Sequence, residues 1–200
     1  MDRYSPSAGF DFTGHIRRLC HDMVARVEEF SHVDMRRVAI RYCQTRKAVS
    51  HGIQASLTPL RFEQGSLFMT RRRRRWTIQR LHDPSGTEML YLLSFYLPRF
   101  QQLPFEEKLI TVFHELWHIG PAFDGDIRRL PGRCHVHSSS KCEYDAEMKR
   151  FVDKWLSRNP PPSLHEFLRH NFRQLAQAHG GVFGTRIRTP KLIPCDEQAA

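Results

Sequence analysis

The residues best equipped for chemistry in this chain are His114, Glu115 and His118, within the stretch Thr111-Val-Phe-His-Glu-Leu-Trp-His-Ile-Gly120. On an α-helix, residues four apart lie on one face a turn apart, so both imidazoles can aim a nitrogen at a single ion. Zinc suits such a pair, with a usual Zn–N distance of ~2.0–2.1 Å. Glu115 stands one step round the helix, close enough to reach a water on the ion but poorly placed as a ligand. Zinc lowers the pKa of its water from about 15.7 to about 7, and a carboxylate in that position takes the proton as the oxygen attacks a polarised carbonyl.

The chain has 12 histidines in 200 residues, so chance alone would produce this spacing in roughly 4% of shuffled chains. The flanking residues argue against accident. Phe113, Leu116, Trp117 and Ile119 would bury two imidazoles and a carboxyl that are costly to bury without a partner.

A third ligand is less easily read. The metzincin continuation requires a glycine and a histidine where this chain has Pro121 and Asp124, with its glycine one residue early at Gly120. In the segment Gly132-Arg-Cys-His-Val-His137, the two histidines point the same way if the chain is extended. His137 ranks first as third ligand, His135 second, and Asp124 and Glu147 behind them; Glu143 is the other glutamate within reach of the gluzincin pattern. Cys134 and Cys142 with the intervening histidines would be a weaker, structural alternative, because no Cys-x-x-Cys is present. Tyr144, Arg128, Arg129 and Arg133 are all eligible to stabilise an oxyanion, and the sequence does not choose among them.

These residues need elements to hold them. Leu109, Val112, Phe113, Leu116 and Trp117 form the apolar stripe of a helix that opens near Pro104 and stops at Gly120-Pro121. Upstream, Ile16, Leu19, Met23, Val27 and Phe30 predict a helix over roughly 13–31. Three or four short strands follow, around 37–42, 52–57, 67–69 with 76–78, and 89–97, with Asp83-Pro-Ser-Gly86 as a turn. Downstream, helices are expected over 145–156 and from a capping box at Ser163–Glu166 to Gly180-Gly181. A tail over 182–200 would add one short strand and fray from about 190. The order predicts an α+β fold, an antiparallel or mixed sheet against the His-containing helix, in one domain over 1–200.

The segment Leu103-Pro-Phe-Glu-Glu-Lys-Leu109, leading into His-Glu-Leu-Trp-His-Ile-Gly and then Phe123-Asp-Gly125, resembles the uncharacterised metallopeptidases of bacteria and phages. Their shared signature is a His-Glu-Leu-x-His helix followed by Gly and then Asp-Gly. The resemblance covers roughly residues 88–155, most specifically 113–125. It implies a zincin-like fold and peptidase activity on a protein or peptide substrate, with His114, Glu115 and His118 carried over. It leaves the third ligand open.

Composition narrows the remaining classes. A hydrophobic content of 40% is that of a globular chain. The longest apolar run, Met89 to Leu97, is about half the ~20 residues of a membrane helix. Without the apolar core of a signal peptide near its start, the chain reads as cytoplasmic, and its five cysteines as thiols or metal ligands. Residues 1–100 carry 17 basic and 9 acidic side chains against 14 and 12 in 101–200, so most of the +10 excess lies in the first half. Arg71 to Arg75 cannot be buried cheaply on either strand face and so form an exposed edge, hairpin end or loop. They would favour nucleic acid or an acidic protein, with Trp76 as a stacking surface. This is the competing reading: a nucleic-acid-associated module in which zinc only braces the fold.

Overall fold

The computed structural model describes residues 9–45, 52–129 and 141–195, apart from the side chains of 141–145. The chain opens with a two-residue strand β1 (Phe10–Asp11) and helix α1 (Phe12–Arg26). The Asp11 carboxylate accepts from the Gly14 amide at 3.0 Å, capping donors that the first turn leaves unpaired. A 3-10 turn at Glu28–Phe30 ends the predicted helical stretch.

The central sheet is built from β2 (Val38–Gln44), β3 (Ala55–Pro59) and a later strand, β6 (Tyr91–Leu97), in the order β2-β6-β3. It is mixed: β2 runs parallel to β6, in register from Val38 opposite Tyr91 to Gln44 opposite Leu97, and β3 runs antiparallel to it. β6 takes the middle because its near-continuous apolar sequence can be buried on both faces. Tyr91, Leu93, Phe95 and Leu97 enter the main core, whereas Leu92 packs with Ala39, Leu60 and Met89 on the opposite side. Arg41 is also buried; its guanidinium donates to Ser94 Oγ at 2.8 Å and to the Ile187 carbonyl at 3.0 Å, tying the C-terminal strap across that face.

Between β3 and β6 the chain leaves to form the hairpin β4 (Phe68–Arg71) and β5 (Arg74–Ile78). After β6 come a short helix α2 (Arg99–Gln102) and the motif helix α3 (Phe105–Trp117). Then follow α4 (Lys141–Leu156), α5 (Pro162–His165), α6 (Phe172–His179), β7 (Val182–Phe183) and β8 (Leu192–Cys195). β7 pairs with β1, and β8 adds to β5, giving an outer antiparallel sheet β4-β5-β8. The tail thus contributes two short strands.

The expected single helix from Ser163 to Gly180 is instead two. A 3-10 turn at Glu166–Arg169 follows α5, and the capping box lies at Asn171 and Gln174, opening α6. The interruption has a tertiary cause. Gln101 Nε2 donates to the carbonyls of Phe167 and His170 at 2.8 and 2.7 Å. Lys108 Nζ donates to Leu168 and His170 at 2.7 and 2.9 Å. A continuous helix would need those carbonyls for its own ladder.

The main core lies between the central sheet and α1, α3 and α4. Leu109, Val112, Phe113 and Leu116 of α3 are fully buried, as the stripe predicts. Phe113, Phe30 and Phe151 interleave, with centroids 5.4 Å apart for Phe30–Phe113 and 5.1 Å for Phe30–Phe151. Each such ring contributes about 1.5–3 kcal/mol by burial. The fold is therefore α+β, and no helix among the described residues is long and apolar enough to cross a membrane.

Candidate metal centre

Helix α3 delivers the motif to its own last turn. His118 is the C-cap residue, still right-handed helical (φ −66°, ψ −16°). Its side chain therefore sits one turn beyond that of His114. The two Nε2 atoms lie 3.0 Å apart, with the rings at 80° to each other. Two nitrogens bound to one tetrahedral ion at ~2.0–2.1 Å would be separated by ~3.3 Å, so the pair needs to move only a few tenths of an ångström to share zinc. His114 is half-buried and His118 is buried.

Glu115 is 7% exposed. Burial pushes its carboxyl pKa from 4.5 to about 7, opposed by a hydrogen bond from the Leu57 backbone on β3; no cation among the described residues contributes. A buried carboxyl next in the chain to one of two convergent imidazoles, with no balancing positive charge among the described residues, fits a site that receives a metal ion.

The chain after His118 is a closed turn. Gly120-Pro121 ends the helix as expected, and the Arg128 amide returns to the His118 carbonyl at 2.8 Å. Gly120 donates to the Asp126 carbonyl at 3.2 Å, and a Cβ at Gly120 would lie 2.8 Å from that oxygen. Gly125 has φ +94°, and a Cβ there would lie 2.5 Å from Arg61 Cγ. Only glycine fits this position without strain.

Two aspartates of this turn, the candidate ligand Asp124 among them, hold its backbone. Asp124 Oδ1 accepts from the Asp126 amide at 3.0 Å. Asp126 accepts from the amides of Ile127 and Gln64 at 2.8 and 3.1 Å and pairs with Arg129 at 3.1 Å. Both carboxylates therefore hold backbone in place. Glu147 lies on α4 and pairs with Arg150 at 3.3 Å.

His137, His135, Cys134 and Arg133 lie outside the described residues, and the side chains of Cys142, Glu143 and Tyr144 are likewise not described. Among the described residues, no group of three or more His, Cys, Asp or Glu side chains is arranged to hold a metal. Arg128 stacks on Trp117, its guanidinium carbon 3.8 Å from the ring centroid, while its Nε donates to the Trp117 carbonyl at 2.8 Å.

Three contributors carry no signature in the sequence. Leu57 on β3 gives Glu115 its hydrogen bond. The Tyr91 hydroxyl donates to the Asp126 carbonyl at 2.8 Å and accepts from the Gly125 amide at 3.0 Å, and burial pushes its pKa up to about 12. His32 hydrogen-bonds the backbone of Ile119, and burial holds its pKa below 6.5.

Comparison of the chain with family models, curated proteins and solved structures finds no match.

Proposed function

We propose that this chain is a zinc-dependent metallopeptidase of zincin-like α+β fold. The observation that carries the reading is the convergence of His114 and His118 to 3.0 Å on the helix that buries the carboxyl of Glu115. His114 and His118 would hold the ion, with His137 of the polar loop as the expected third ligand. Zinc supplies an acidified water and a polarised carbonyl.

The chain's own residues account for the rest. Glu115, one step round the helix from the two imidazoles, would take a proton from the metal's water and return it to the departing amine, as general base and then acid. The Leu57 backbone hydrogen bond orients that carboxyl against β3. Among the described residues β3 has β6 on one side only. Its other edge, beyond the Leu57 amide given to Glu115, would pair with an extended peptide, a recurring way in which a sheet receives such a substrate. A site that only braced the fold would have no use for an unligated carboxyl beside the ligands.

The test is zinc stoichiometry, measured by mass spectrometry on full-length protein and on His114→Ala, His118→Ala, His135→Ala and His137→Ala. The expected result is one zinc in the wild type and in His135→Ala, and loss in the other three. Stoichiometric zinc in His114→Ala or His118→Ala would overturn the reading. Retention in both loop variants would remove His137 as a ligand.

A further inference from the structure

The basic hairpin has no part in the metal site. We propose that the outer sheet β4-β5-β8 is a binding arm for single-stranded nucleic acid.

The strand register fixes which residues act together. Arg71 stands opposite Arg74, Met69 opposite Trp76, and Trp76 opposite Pro194. Alternation along a strand then puts Arg71, Arg74, Trp76 and Leu192 on one face. With Arg72 they line a groove of about 350 Å³. Arg74 lies 5.4 Å from the Trp76 ring centroid. The buried indole N–H of Trp76 has no acceptor among the described residues. On the opposite face, the Arg75 guanidinium covers the ring of Phe68 at 3.7 Å. Phe68, Leu192 and Ile193 remain 39%, 46% and 41% exposed.

The turn is a second, independent observation. Arg72 and Arg73 both have positive φ, at 52° and 62°, as a two-residue type I′ hairpin requires. That conformation favours Asn-Gly, and a long side chain there is strained. Two arginines at these positions do not serve the turn itself, and strain of this kind collects at functional sites.

Charge and shape together select the ligand. Residues 68–78 and 191–195 hold six basic side chains and no acidic one. Guanidiniums flanking an indole in a groove match the alternation of phosphate and base in a single strand, in which phosphates pair with arginine and bases stack on the aromatic ring. An acidic peptide would use the arginines and leave Trp76 and Leu192 without a role. A duplex would offer phosphates but no unstacked base.

The test uses the full chain and a fluorescein-labelled oligothymidylate of about 20 nucleotides, followed by anisotropy between about 50 and about 200 mM salt. The expected result is binding that weakens steeply with salt. Arg72→Asn with Arg73→Gly suits the turn better, so the variant should melt no lower than the wild type. It should bind several-fold more weakly, with a log–log salt slope shallower by about 1.4, two contacts at about 0.7 each. Trp76→Leu should weaken binding about fivefold or more and leave the slope unchanged. Four results would overturn the proposal: absence of binding, equal or tighter binding to duplex of the same length, insensitivity to both variants, or displacement by polyglutamate that Trp76→Leu does not alter.

Discussion

Glu115→Gln should stabilise the metal-free protein, and the gain should appear only as the pH rises. In the folded chain burial raises the carboxyl pKa from 4.5 to about 7, with no cation among the described residues to offset it. The folded state therefore holds its proton more tightly than the unfolded state. Between those two pH values stability falls as pH rises, and the full penalty is present above 7. At ~1.4 kcal/mol per pH unit, the ionised carboxylate costs about 3 kcal/mol at pH 8 and under about 1 kcal/mol at pH 5. Glutamine has the same shape, cannot ionise, and can still accept from the Leu57 backbone. At roughly 2–4 °C per kcal/mol for a chain of this size, Tm should rise by about 6–12 °C at pH 8 and by a third of that or less at pH 5. Circular dichroism melts of both proteins in EDTA at the two pH values measure this. Equal shifts at pH 5 and pH 8, or a variant less stable than the wild type at pH 8, would refute the argument.

Other perturbations have equally definite signs. Lys108 is buried and hydrogen-bonded to carbonyls only, and burial lowers its pKa from 10.5 to about 8. The unfolded state binds the extra proton between those values, so the wild type should gain stability relative to Lys108→Met as pH rises from 8 to 10, measured by urea denaturation. Gly125→Ala places a Cβ 2.5 Å from Arg61 Cγ at a φ of +94°; it should cost about 1–3 kcal/mol and weaken zinc retention, because the same turn returns to His118. Phe151→Ala opens the aromatic cluster around Phe30 and Phe113 and should cost about 3–5 kcal/mol in the same denaturation assay.

The parts of the molecule legible in the sequence are those in which local pattern and tertiary demand agree. The stripe of α3 placed His114, Glu115 and His118 correctly, because one period serves both the core and the motif. Met89 to Leu97 showed a buried strand by its composition, and that strand became β6, the middle of the sheet. The break between α5 and α6 was hidden, since it depends on Gln101 and Lys108 capturing carbonyls about 60 residues away in the chain. The outer sheet was half visible. Arg71 to Arg75 announced an exposed edge, but the turn at Arg72-Arg73 lacks the Gly or Asn that marks such turns, and its third strand comes from Leu192–Cys195. Asp124 is a candidate ligand on residue type alone. Its Oδ1, with the Asp126 carboxylate, holds the chain reversal after His118, a use that no spacing rule distinguishes from coordination.

The most direct test of the central claim is hydrolysis of an unfolded protein substrate by wild type and Glu115→Gln, with zinc determined on the same samples. The account predicts one zinc per chain in both and hydrolysis in the wild type alone. Cleavage by zinc-loaded Glu115→Gln at the wild-type rate, or a wild type that binds no zinc, would contradict it.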